Sequence, residues 1–225
     1  MRNPCACVVL LASIGWCQRP ETPEETLARM NHDFAGQRYV FLTLRHDDPF
    51  DLNVPASRRD RPSGEAISVA RLRHKIPKEA KRAYDRARKF VNAADHQKAE
   101  VELEVAVALD PEFADAHTQL GLEYAKLGRL TEARASLQRA FEVDPDTWSH
   151  PFNLGLVLYL LGDYSAAEGF ARKAVQLAGT LPQTQWLLGF LLYNRKETRQ
   201  EGIVHLEYAA RTIPEAKKFL QTMEK

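Results

Sequence analysis

Histidines and cysteines are the side chains of this 225-residue sequence best suited to chemistry, and their spacing decides what they can do. His32, His46, His74, His96, His117, His150 and His205 are scattered along the chain. No two lie four residues apart, the spacing that sets a pair of imidazoles on one helix face for a zinc ion, and H-E-x-x-H is absent. His46-Asp47-Asp48 offers ligands to a cation, but Asp-rich tripeptides in loops are as a rule simply solvated. There is no G-x-S-x-G nucleophile elbow, no phosphate-binding P-loop and no G-x-G-x-x-G. Glu123, Glu132 and Glu142 fall at spacings that point to solvent, and none makes an acid/base pair. Cys5, Cys7 and Cys17 all lie in the first seventeen residues, so the remainder has neither a disulfide framework nor a thiolate zinc site. These residues point to no catalytic centre, no metal site and no cofactor.

The elements around them differ sharply along the chain. Residues 1–17 join a lone Arg2 to an apolar run from Cys5 to Trp16, too short to span a bilayer. Gly15 and Cys17 suit a cleavage before Gln18, so the segment reads as an export signal, leaving a periplasmic or secreted product. Lipidation at Cys17 is the less favoured variant, because Trp16 stands where a small residue is needed. Residues 18–79 hold Pro20, Pro23, Pro49, Pro55, Pro62 and Pro77, which rule out a long helix or a central strand. They read as an extended arm with two apolar islands, Tyr39–Leu44 and Ile67–Leu72. From Arg58 to Lys89 twelve Lys/Arg face four Asp/Glu, but no interleaved aromatics or glycines suggest an RNA-binding surface, and nucleic acid is set aside.

The rest of the chain is periodic. Pro111 and Pro145 lie 34 residues apart, each after an aspartate, Asp110 and Asp144. In phase with them stand His117-x-x-Leu120-Gly121-x-x-Tyr124 with Gly128, Ala133, Leu137 and Ala140. One unit earlier come Ala87, Phe90, Ala99, Leu103 and Ala106. Later units give Leu154-Gly155-x-x-Leu158 with Gly162, Ala167, Ala171 and Ala174, and Leu188-Gly189-x-x-Leu192 with Gly202, Leu206, Ala209 and Pro214, the last one residue late. This pattern resembles the tetratricopeptide repeat (TPR), W-x-x-L-G-x-x-Y…A-x-x-x-F…P, over about 135 residues.

The resemblance implies an all-α fold over residues 80–225: a right-handed superhelical solenoid of four antiparallel helix pairs with a C-terminal capping helix. Small residues sit where helix axes cross, and Gly128 and Gly162 end first helices in the left-handed conformation. Ala216, Phe219, Leu220 and Met223 give the cap its apolar side.

In this family the first helix of each pair lines the concave, ligand-binding face. Carried over, the rows are Tyr84, Thr118, Phe152, Trp186; then Arg88, Leu122, Leu156, Phe190; then Val91, Ala125, Tyr159, Tyr193. Arg88, Leu122, Phe152, Leu156, Tyr159, Trp186, Phe190 and Tyr193 are therefore the candidate partner-binding residues, with six of them expected to form an exposed apolar patch in the last two pairs. The basic and amide clamp that some TPR domains use for chaperone C-termini is not matched by Tyr84, Arg88, Gln119, Ser149 and Asn153. The expected ligand is an apolar helix or extended peptide of another protein, not a small molecule. The alternative is self-association, with the arm's Tyr39–Leu44 island filling the groove in cis or in trans.

Overall fold

The computed structural model describes residues 74–223, all within one compact unit. The export-signal segment, both apolar islands and nearly all of the arm lie outside the described residues. Within them the chain is helix and turn throughout: α1 (Lys78–Asn92), α2 (His96–Leu109), α3 (Ala114–Lys126), α4 (Leu130–Val143), α5 (Ser149–Leu160), α6 (Tyr164–Ala178), α7 (Pro182–Tyr193), α8 (Arg199–Ala209) and α9 (Pro214–Met223). The first described helix begins at Lys78, directly after Pro77, whose φ of −56° and ψ of 142° are non-helical. Consecutive helices pack as pairs, and neighbouring pairs stack into a solenoid, with α3 also touching α5 and α5 touching α7. No described helix is long and apolar enough to cross a membrane.

The turn inside each pair shows how the repeat is built. Ala94, Gly128 and Gly162 have φ of 55°, 79° and 83°. The amide that follows each of them donates to a carbonyl five residues back: Asp95 to Phe90, Arg129 to Tyr124, Asp163 to Leu158. These bonds satisfy carbonyls orphaned at the end of each first helix. Asp95 and Asp163 then accept from the amides of Lys98 and Ala166, capping the second helix. Second helices consequently start at His96, Leu130 and Tyr164, evenly spaced, and α8 starts at Arg199, one residue late as the sequence pattern requires.

Between the helices the small residues lie fully buried: Ala99, Ala133 and Ala167 have no exposed surface. The closest approach is in the fourth pair. A methyl on Gly202 would lie 2.6 Å from the Tyr193 nitrogen and 2.8 Å from the Gly189 carbonyl, so only glycine fits. At the first junction Ala80, Ala83, Ala106 and Ala116 surround Phe113, with Tyr84 packed against it at a ring separation of 5.0 Å. The aspartates before the prolines are buried anchors. Asp110 accepts from His74 Nε2 (2.8 Å) and from the Glu112 amide (3.2 Å), and Asp144 accepts from Thr147 Oγ1 (2.8 Å).

Candidate binding face

The eight candidate residues all fall on first helices: Arg88 on α1, Leu122 on α3, Phe152, Leu156 and Tyr159 on α5, and Trp186, Phe190 and Tyr193 on α7. The structure brings the aromatic ones together. Tyr159 and Phe190 meet across two pairs edge to face at 5.4 Å, and Trp186 lies 6.0 Å from Phe190. Tyr164 adds a ring at 5.6 Å to Tyr159, and the Arg199 guanidinium stacks over Tyr193 at 5.2 Å. Phe152 instead pairs with Trp148, the residue just before α5, at 5.8 Å.

The expected exposed patch is corrected by this geometry. Phe152 and Trp186 are 2% exposed, Phe190 4% and Leu156 6%, while Tyr159 and Tyr193 are half-buried. Leu122, expected in the lining, is also buried, and of the eight only Arg88 is well exposed. Among the aromatics, Tyr159 packs against the next first helix and Trp186, Phe190 and Tyr193 against α9, while Phe152 packs against Trp148. At the far end α9 closes the row. Its Phe219 lies 5.7 Å from Trp186, 5.7 Å from Phe190 and 5.4 Å from Tyr193. Burial beside Tyr164 pushes the Tyr159 hydroxyl up to about 12, so it stays neutral at physiological pH.

The polar half of the face holds a second correction. Glu123, expected at a solvent-facing position, is fully buried. It is held by His96 Nδ1 at 2.7 Å, Lys126 Nζ at 2.8 Å and Gln119 Nε2 at 3.0 Å. A carboxylate buried this deeply is tolerated because all its partners converge on it. Glu132 and Glu142 are exposed as expected. Gln119, one of the clamp positions, is therefore committed to Glu123 rather than to a ligand. Thr118 is similarly engaged: it donates to the Ala114 carbonyl and accepts from His150 Nδ1 at 2.8 Å, an α3-to-α5 contact.

A separate cavity of about 510 Å³ opens at the edge of the stack, lined by His74, Ile76, Phe113, Asp115, Arg139 and Asp144 among others. Among the described residues no group of three or more His, Cys, Asp or Glu is placed to hold a metal ion.

Residues 118–182, which span α3 to the start of α7, match the tetratricopeptide repeat family model. Residues 118–182 are thus similar to tetratricopeptide repeats. The chain is 31% identical over 77 residues to superkiller complex protein 3 of Mus musculus, a match covering 34% of this chain and only 5% of that protein. Among solved structures, MamA 41-end from Desulfovibrio magneticus RS-1 superposes with a TM-score of 0.56 at 20% identity, over 63% of this chain and 79% of that one. YrrB, described as a TPR protein with an unusual peptide-binding site, superposes with a TM-score of 0.56 at 22% identity, over 65% of this chain and 75% of that one. At these identities the structural likeness establishes the fold.

Proposed function

We propose that this protein is a non-catalytic interaction module that holds an apolar helix or peptide of another protein along the aromatic row of its last two helix pairs. The observation that carries the reading is the row itself. Tyr159, Phe190 and Trp186 form one connected set of rings, joined to Tyr193 through Phe219 of α9, and two tyrosines are left half-exposed at its rim. Aromatic residues in such settings supply large contact area at low entropic cost and dominate interface energetics. The peptide-binding site named for YrrB is in keeping with this use of the fold. The reading places the protein in an exported or envelope assembly, on the strength of the sequence of residues 1–17.

The test is a peptide selection against the full chain, repeated with Tyr159→Ala and Tyr193→Ala. These rim residues are preferable to Leu156 or Phe190, whose burial makes substitution a folding problem. Enriched peptides carrying aromatic or leucine side chains at helical spacing, each weakened about ten-fold by either variant, are expected. Peptides that bind both variants as well as the parent would rule out the aromatic row as the site.

A second reading has the arm's apolar Tyr39–Leu44 island filling the groove in cis or in trans in the partner's place. Deleting residues 18–66 then raises peptide affinity or dissolves an oligomer; no change in either removes this reading.

A further inference from the structure

We infer that the ring cluster at the C-terminal end of the solenoid is a helix-docking site, that α9 is its exchangeable internal occupant, and that its external ligand is an amphipathic helix bearing a small residue three positions before an aromatic. The inference rests on the proposed use of the aromatic row and adds what occupies its open end and what displaces it.

The repeat geometry shows what kind of guest the site takes. Phe190 on α7 packs edge to face on Tyr159 of the preceding first helix, and Phe219 on α9 repeats that arrangement one step further, on Tyr193 and Trp186. Thus α9 stands where the first helix of another pair would stand, against α7 and α8. Its hold is slight beside that of its predecessors. The whole run Trp186–Leu192 is buried on α7, whereas on α9, among the residues whose burial is described, Ala216 and Phe219 are buried, with Ile213 just before it and Leu220 half-buried. Pro214, Lys217, Lys218 and Gln221 face solvent. A helix of ten residues is too short to be stable alone in water, so its structure depends on what it packs against.

The same residues define specificity. Ala216 is fully buried, so a larger side chain there would push the guest helix off the stack, and Phe219 fills the space between three rings. A competing helix must reproduce that small-x-x-aromatic pattern, with a further apolar residue directly after the aromatic in the place of Leu220.

The test uses a labelled peptide of residues 210–225, the same peptide with Phe219→Ala, the full chain, and the chain stopped after Ile213, each protein checked for helicity. The stopped chain is expected to bind the parent peptide at least about ten-fold more tightly than the Phe219→Ala peptide, and more tightly than the full chain does. A folded stopped chain that ignores the peptide, or binds both peptides alike, overturns the proposal. So does a full chain that binds as well as the stopped one. Should the stopped chain fail to fold, hydrogen exchange on the full chain decides. Amides of residues 216–223 exchanging at least about ten-fold faster than those of α7 support independent opening, and equal rates overturn it. The two readings fail separately: selected peptides that bind full and stopped chains equally, and need Tyr159, retain the aromatic row and remove the exchangeable helix.

Discussion

Where the second pair meets the first, His96 reaches the fully buried Glu123, which Lys126 and Gln119 hold from its own helix. Thirty-four residues on, the places of His96 and Glu123 are taken by Leu130 and Val157, and thirty-four further by Tyr164 and Leu191. Val157 and Leu191 are as buried as the carboxylate they replace. One backbone junction is thus filled by an ion cluster at the start of the stack and by apolar side chains after it. The ionic version must have every partner in place, because a carboxylate out of water costs several kcal/mol unless it is compensated. The apolar version needs only shape and volume. Surface ion pairs do not share this contrast: Arg86 pairs with Glu102 and Arg129 with Glu100 early in the stack, and Arg172 with Glu201 and Arg195 with Glu168 later.

The largest expected effect comes from breaking the ionic junction by halves. Lys126→Ala leaves Glu123 buried with reduced compensation and should cost about 3–5 kcal/mol in urea unfolding. Converting the junction to its later form, with His96→Leu, Glu123→Val and Lys126→Leu together, should instead be close to neutral or stabilising by about 1–4 kcal/mol. Equal losses in the two proteins would mean that the cluster contributes more than a buried ion pair normally does.

Acid provides a smaller and sharper separation. Burial lowers the imidazole pKa of His117 on α3 and of His205 on α8, one in each half of the stack. Their folded values lie below the unfolded one, so the unfolded chain takes up protons first. Stability is complete above about pH 6.5 and falls as the pH drops through and below that value. The urea midpoint of the parent should therefore fall between pH 7.5 and 5.5, and His117→Gln and His205→Gln should each lose less over the same interval. If both variants lose as much as the parent, acid acts elsewhere.

The smallest effect concerns the turns. Ala94 occupies the left-handed conformation that Gly128 and Gly162 hold at the equivalent places. Ala94→Gly should relieve strain and stabilise by about 0.5–1 kcal/mol, and Gly128→Ala should cost a similar amount. A loss on Ala94→Gly would show that the first turn is held by contacts of its own.

Much of this architecture was legible in the residues. The spacing of Pro111 and Pro145 and the glycines in phase with them fixed the register, so that helix starts at His96, Leu130 and Tyr164 follow from counting. The late start of α8 was visible as well, in the one-residue slip of the fourth motif. What remained hidden was what lies against each face. Spacing assigns a side chain to a helix side, but His150–Leu158 is buried without a break, so on α5 no side is left to read as outer. The signal for Glu123 was present in the alignment of repeats, since its column continues with Val157 and Leu191. Reading one helix at a time concealed it. The aromatic row was assigned to the correct helices, while its closure by Phe219 depends on how α9 folds back, which no local pattern encodes.

The facing glycines of the fourth pair also bear on temperature. With Gly202 set against Gly189 and Tyr193, α7 and α8 meet backbone to backbone at this point, a geometry that suits dispersion and weak C–H···O contacts. Apolar burial loses strength on cooling, whereas contacts of that kind do not depend on releasing water. Near freezing, the earlier pairs should loosen before the fourth, and amide exchange followed down to that range would show α7 and α8 outlasting α1 and α2.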